Sequence, residues 1–406
     1  MNNNFTQSRP SSNNFKAAIP SNSILWIVQN LSKFDLDWRN RVHVSEDDLA
    51  NFDLIPAGSG IVLTPNHADE MDPRICFEIS RRAQRRFVFM CNREAFSEIG
   101  GTAGWLLQRI GAFSVERGGH DVAAKQFATE VVLNGRDTLV VFPEGEIFYL
   151  NDSIQPFHSG AFEIGIQAII ERRKQSPQWT TFLLPMSIKY KYRDPVHEIL
   201  DEKISRMEQF LSKGMTGFTL QSRADGVLAE LIREKEMQLN LTPDEKEYAK
   251  LALRLADVRH AILRAVGEKH KNSYREQART IDQSFQLAAE LHKRMAQTQN
   301  SEHKADYIID LAKLKEVEHL VSLNPGYADA DPHPERLAEL VIKLERELFG
   351  IKRPKQMAKR DVFIRIGKPI DLGAEVQEYL EAPHVVRHRL AESLRGQIQG
   401  FIDQSH

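Results

Sequence analysis

Between residues 60 and 190 the sequence alternates short apolar runs with longer amphipathic stretches, and this alternation leaves few architectures open. GIVLT, RRFVFM, GAFSV, DTLVVF and TTFLLPMSIKY have the length and the β-branched or aromatic content of buried strands, and the segments between them have helical spacing. Strands separated by helical crossovers pair in parallel. The spacing therefore predicts an α/β fold, a mainly parallel sheet flanked by helices. Ligands in such sheets lie beyond the carboxyl ends of the strands, so chemistry is expected in the stretches that follow GIVLT, GAFSV and DTLVVF.

From about residue 197 to 352 the composition shifts to Lys, Glu, Arg, Leu and Ala with few β-branched residues, as helices prefer. Thr242, Pro243 and Glu245 have the order of a capping box opening a long helix. Further helices are expected at about 275–299, 302–322 and 334–349. DVFIRIG at 361–367 restores a strand pattern and is followed by a Pro-containing turn and a helix ending near Gln404. A strand after a helical excursion implies that the chain rejoins the first sheet. The expected division is a polar, disordered arm over 1–22, an α/β domain over 23–192 and 361–406, and a large α-helical insertion over 193–360 before the last strand. Ser23 is a candidate cap for a first helix carrying Ile24, Leu25, Ile27, Val28, Leu31 and Phe34 on one side, with Trp26 near its start. Such a helix either covers the core or lies on lipid.

Charge and cysteine content narrow the function. Lysine and arginine number 54 against 56 acidic residues, a formal net charge of -2, so no global basic field is available for nucleic acid and no such partner is expected. The two cysteines, Cys76 and Cys91, have no paired spacing, which argues against a disulfide framework or a zinc site. No stretch approaches the ~20 apolar residues of a membrane-crossing helix. The Asn- and Ser-rich start lacks a signal-peptide pattern, so a cytoplasmic location is expected. Neither a Gly-x-Ser-x-Gly elbow nor a glycine-rich phosphate loop nor His-Glu-x-x-His occurs, which disfavours a serine hydrolase, a nucleotide enzyme and a zinc hydrolase.

The most informative stretch, TPNHADEMDPRI, follows the first strand of the alternation. His67 stands five positions before Asp72, with Pro73 placed for a helix's first turn. A carboxylate at a helix start can take the Nδ1 proton of a loop histidine, leaving Nε2 as a base. Asp69 and Glu70 add nearby negative charge that favours the imidazolium. The same residues also suit a capping loop, or, with His67, Asp69 and Asp72 as ligands, a metal hydrolase, although no second histidine lies at ligand spacing. In VFPEGEIFYL, Gly145 allows close backbone approach and Glu144 can orient a polar group. In GAFSVERGG, Arg117 beside two glycines suits a phosphate or carboxylate oxyanion. LLPMSIKY is an apolar strand broken by Pro185.

In this order and at these distances the four stretches resemble the glycerolipid acyltransferase family that includes the bacterial 1-acylglycerol-3-phosphate acyltransferases. The residues that carry the resemblance are Asn66, His67 and Asp72; Gly111, Phe113 and Arg117; Phe142, Pro143, Glu144 and Gly145; and Leu184 to Ile188 around Pro185. PFHSGAFEIGIQA and IRIGKPI are similar to further family segments, so the likeness covers about residues 55–192 and 361–372. It implies that His67 is the general base for an acceptor hydroxyl attacking an acyl thioester, that Asp72 orients it, and that Arg117 with Glu144 and Gly145 holds the acceptor head group. Acyl-CoA or acyl carrier protein is the implied donor, a co-substrate in a reaction without metal or cofactor. The implied acceptor is lysophosphatidate or another lysophospholipid, met at the membrane surface, and the implied place is the inner face of the cell membrane.

Trp105, Leu106, Leu107 and Ile110 are candidates for an acyl groove or for ordinary core. Arg81, Arg82, Arg85 and Arg86 either meet anionic lipid or coenzyme A phosphates, or form a solvated helix face. One departure concerns Glu146, Ile147 and Phe148, which stand where the family usually has Thr-Arg-Ser. A carboxylate close to Arg117 offsets its charge and repels a phosphate monoester, pointing to a zwitterionic, neutral or amine-bearing acceptor unless Glu146 turns away. The alternative function is a non-catalytic lipid-binding or scaffold member of the family, against which the intact His67 and Asp72 argue.

Overall fold

A computed structural model describes residues 15–116, 121–212, 214, 219–242, 250–272, 277–325, 333–351 and 354–405. The chain opens with α1 (Asn22–Arg39), β1 (Asn40–His43) and α2 (Glu46–Ala50). It then alternates through β2 (Gly60–Pro65), α3 (Asp72–Arg82), β3 (Phe87–Asn92), α4 (Thr102–Arg109), β4 (Ala112–Val115), α5 (Val122–Asn134), β5 (Thr138–Val140), α6 (Gly160–Arg172) and β6 (Thr181–Tyr192). The helices α7 (His197–Phe210), α8 (Leu220–Gln238), α9 (Leu251–Lys269), α10 (Thr280–Gln297), α11 (Ser301–Val321) and α12 (Pro334–Phe349) follow. β7 (Arg360–Ile366), β8 (Ile370–Asp371), α13 (Val376–Glu381) and α14 (Pro383–Gln404) complete the chain.

The strands form one eight-stranded sheet in the order β1-β7-β6-β2-β5-β3-β4, with β8 also on β6. The run from β6 through β2, β5 and β3 to β4 is parallel. β7 lies antiparallel to β6 and parallel to β1, so the strand after the helical stretch does rejoin the first sheet. The α/β fold with a mainly parallel sheet and a helical stretch before β7 is thus present. β2 is buried along its whole length, as a strand covered on both faces must be. Its side chains alternate between layers. Ile61 and Leu63 join Ile75 of α3 and Met186, Ile188 and Tyr190 of β6, whereas Val62 joins the opposite layer with Ala128 of α5, Ile166 of α6 and Leu394 of α14. The helices α7 to α12 bury a core of their own around Leu200, Leu228, Leu263, Leu314 and Leu344.

Three local features depart from the sequence reading. Ser23 lies inside α1, whose N-cap position is Ser21 without a side-chain cap bond. The apolar residues of α1 do not share a side: Leu25 and Leu36 are buried, while Trp26, Ile27, Leu31, Phe34 and Trp38 face outward, Phe34 at 82% exposure. β1 and β8 were not anticipated, being too short for a legible alternation. Pro243 and Glu245 of the expected capping box lie outside the described residues.

One edge of β6 positions the site. β2 stops pairing with β6 at Pro65, opposite Met186, which leaves the backbone groups beyond without a strand. Side chains replace it. The Asn66 amide donates to the Ile188 carbonyl (3.1 Å) and accepts the Ile188 N–H (2.7 Å). The Asn151 amide repeats this at Tyr190 (2.8 and 2.7 Å), and Glu335 of α12 accepts the Tyr192 N–H at 2.9 Å.

Candidate active site

The turn after β2 places His67 at the carboxyl end of the sheet, stacked on Phe142 with ring centroids 4.0 Å apart. α3 begins at Asp72, where the helix N-terminus favours a carboxylate and Pro73 loses nothing by lacking an N–H. His67 Nδ1 lies 2.9 Å from Asp72 Oδ2, with the histidine side chain 13% exposed and the aspartate fully buried. Asp72 Oδ2 also accepts the Asp69 N–H at 2.9 Å, and Oδ1 accepts the Tyr190 hydroxyl at 2.6 Å. A carboxylate surrounded by donors accepts from Nδ1–H, which fixes the tautomer and leaves Nε2 as the acceptor. Burial lifts the Asp72 carboxyl above its ordinary range, the His67 hydrogen bond pulls it back, and the Asp69 charge raises it further.

Asp69 Oδ1 accepts the Met71 N–H and Oδ2 binds Arg360 Nη1, each at 2.8 Å. Burial raises this carboxyl, but the charge and hydrogen bond of Arg360 outweigh it, leaving Asp69 below the usual carboxylate value. Glu70 accepts the Tyr149 hydroxyl at 2.9 Å. Cys76, buried behind the loop, has its thiol pushed well up by burial and by the Asp72 charge, so it offers no thiolate. Among the described residues no group of three or more His, Cys, Asp or Glu side chains is placed to hold a metal ion.

The Pro143–Gly145 turn supports the histidine from below. Glu144 is buried, its Oε1 accepting the His67 N–H at 2.7 Å and its Oε2 the Gln155 N–H at 3.0 Å. Its carboxylate is therefore turned inward onto backbone. Gly145 has φ +79°, and a Cβ there would meet the His158 ring at 2.8 Å, so the position requires glycine. Glu146 pairs with Lys315 of α11 at 3.2 Å and accepts the Ile147 N–H. Phe148 and Leu150 are buried against Ile281 and Phe285 of α10. Arg336 of α12 binds Asp152 at 2.7 Å, and Glu339 accepts the Asn151 N–H at 3.1 Å. The helical stretch thus clasps the loop that carries Glu144.

Of the anticipated residues, the structure brings Asn66, His67, Asp72, Glu144 and Gly145 together; Arg117 lies outside the described residues. Arg81 and Arg82 both bind Glu78 (2.7 Å), Arg86 binds Asp137 (2.6 Å), and Arg85 donates to the Phe52 carbonyl, so they form no free basic patch. The proposed groove segment is split, with Trp105 and Leu106 exposed and Ile110 buried. Sequence reading missed Tyr190, Arg360, Gln155 and Phe142's stacking on His67. The only advance signal was Tyr190, since a hydroxyl in a buried strand needs a partner.

Residues 47–189 match the family model described as Acyltransferase. No curated protein matches the chain significantly.

Glu144 makes stability depend on pH. Burial pushes its carboxyl up to about 8, against the pull of the His67 and Gln155 N–H donors. In that window the folded state binds more protons than the unfolded one, so stability is lost as pH rises from the ordinary carboxylate range through about 8. Wild type is expected to lose more melting temperature than Glu144→Gln between about pH 5 and 8 in thermal melts. Parallel slopes would show that Glu144 titrates as an ordinary carboxylate.

Proposed function

We propose that the chain is an O-acyltransferase that moves a fatty acyl group from acyl-CoA or an acyl carrier protein thioester to a hydroxyl of a glycerolipid acceptor, lysophosphatidate or another lysophospholipid. The observation that carries this reading is the His67–Asp72 pair, with Nδ1 held at 2.9 Å and no protein partner on Nε2 among the described residues. The acceptor hydroxyl oxygen attacks the thioester carbonyl carbon while Nε2 takes its proton. The C–O bond forms, the C–S bond breaks as the tetrahedral intermediate collapses, and the imidazolium returns the proton to the leaving thiolate. No acyl-enzyme intervenes. Asp72 stabilises the imidazolium, Asn66 and Glu144 fix the backbone on either side of His67, and Gly145 permits the turn. Arg117 holds the head group.

The pairing of Glu146 with Lys315 supports phosphate-bearing acceptors as well as zwitterionic ones, because the carboxylate is offset within the protein. The helices α7 to α12 act as an insertion in a domain formed by residues 23–192 and 361–406, and they shape the acceptor side of the site. Residues 15–21, expected to belong to a disordered arm, instead join this domain, with the Lys16 N–H on Ser114 Oγ at 2.8 Å and the Phe15 ring against Phe113 and Phe127.

The reaction takes place on a membrane surface, at the cytoplasmic face. Among the described residues no helix is long and apolar enough to cross a membrane. The outward stripe of α1 supports attachment in the interface plane: Ile27, Leu31, Phe34 and Trp38 recur at helical spacing, and Lys359 lies over the Trp38 ring. α1 packs on α3, the helix that carries Asp72, through the Arg74–Asp35 pair at 2.8 Å.

Purified protein is expected to transfer labelled acyl groups from a thioester donor to at least one lysolipid, with the rate falling about a hundredfold or more in His67→Ala. Absence of transfer to every lysolipid from both donors, or full activity in the variant, would overturn the reading. Leu31→Ser/Phe34→Ser is expected to lose co-sedimentation with anionic phospholipid vesicles while retaining transfer to a water-soluble short-chain acceptor. Vesicle binding equal to wild type would remove α1 as the attachment surface.

A further inference from the structure

Behind the His67–Asp72 pair lies a second layer drawn from strands far along the chain. Tyr190, on β6, donates its hydroxyl to Asp72 Oδ1 at 2.6 Å, and both residues are buried. Arg360, the first residue of β7, lies over the Tyr190 ring at 4.2 Å, donates from Nε to Asn40 Oδ1 at 2.9 Å and binds Asp69 Oδ2 at 2.8 Å. Arg360 stands outside residues 47–189 and reaches Asp69 across 291 positions. Its register opposite Tyr192 at the end of the antiparallel β6–β7 ladder brings it there.

We infer that Tyr190 and Arg360 are positioning residues that hold Asp72 as the acceptor of the His67 Nδ1 proton, an inference that rests on the acyl-transfer reading. The argument is one of charge. Asp69 and Asp72 are two carboxylates in one turn, Asp72 fully buried and Asp69 20% exposed, and such pairs do not both stay ionised without a counter-charge. Arg360 supplies it to Asp69. Tyr190 supplies a donor to the Asp72 oxygen that faces away from the imidazole, so that Oδ2 stays directed at Nδ1. The groups facing His67 are then Asp72 and Asp69 from the α3 turn, Glu144 from the loop after β5, Tyr190 from β6 and, one layer back, Arg360 from β7. Glu70 is engaged by Tyr149. Removing the guanidinium leaves the two carboxylates to share a proton, which weakens Asp72 as the acceptor of the Nδ1 proton.

The test reads His67 directly as well as its activity. Side-chain ¹⁵N NMR of histidine-labelled full-length protein is expected to show the Nδ1–H tautomer in wild type. In Arg360→Gln the Nδ1–H fraction of His67 is expected to fall, with the transfer rate falling alongside it. Arg360→Lys, which keeps the charge without the fork, is expected to restore most of the difference. Tyr190→Phe is expected to lower kcat about tenfold with KM for donor and acceptor nearly unchanged, since it misorients the base without touching substrate. A wild-type tautomer in a folded Tyr190→Phe and in Arg360→Gln would overturn the inference. Should Arg360→Gln fail to fold, the tautomer in Tyr190→Phe decides alone. Absence of transfer by wild type, with the NMR changes present, would sink the acyl-transfer reading and leave the network standing.

Discussion

The Asp72 carboxylate is removed from water and given three donors in return: the His67 ring, the Asp69 N–H and the Tyr190 hydroxyl. Two of the donors come from the turn after β2 and the third from β6, and each constrains the others. The imidazole cannot rotate without abandoning Oδ2, the α3 turn cannot open without freeing the Asp69 N–H, and β6 cannot slide without moving Tyr190. A buried carboxylate left short of donors costs more than its hydrogen bonds return. The same bonds that orient the imidazole therefore also hold the loop, the helix start and the central strand in one arrangement.

That arrangement needs β6 to run past the end of β2. Where β2 stops, Asn66 and Asn151 substitute side-chain amides for strand backbone, and Glu335 continues the series from α12. The helical stretch is thereby joined to the site rather than appended to it. Its grip on residues 146–158 makes the Phe148 position core, packed against α10. It also gives Glu146 a lysine partner, so the carboxylate that looked costly beside a phosphate is met by a cation from α11.

What was legible in the sequence followed from short-range physics. GIVLT and DTLVVF read as strands because both faces are covered, and α10 to α12 lie close to the expected ranges because their composition favours helix. His67 and Asp72 could be paired because they share one loop. β1 was invisible, since NRVH has a single apolar residue and pairs with β7 more than three hundred positions on. Glu144 was expected to face a ligand, yet its carboxylate finds the His67 N–H across 77 positions, a contact only the parallel register of β2 and β5 creates. Arg360 lacked any local signal, because its partners are fixed by the ladder. α1 misled for a different reason: with apolar residues on two sides, periodicity could not tell which side the core takes.

The most direct measurement is the transfer rate of Asp72→Asn, which keeps the size of the side chain but exchanges an acceptor for a donor. If Asp72 fixes His67 with Nε2 as the base, the folded variant is expected to bind the acyl thioester donor as wild type does and to transfer about a hundredfold more slowly or worse. Transfer within a few-fold of wild type would contradict the assignment and make the His67–Asp72 contact a structural one.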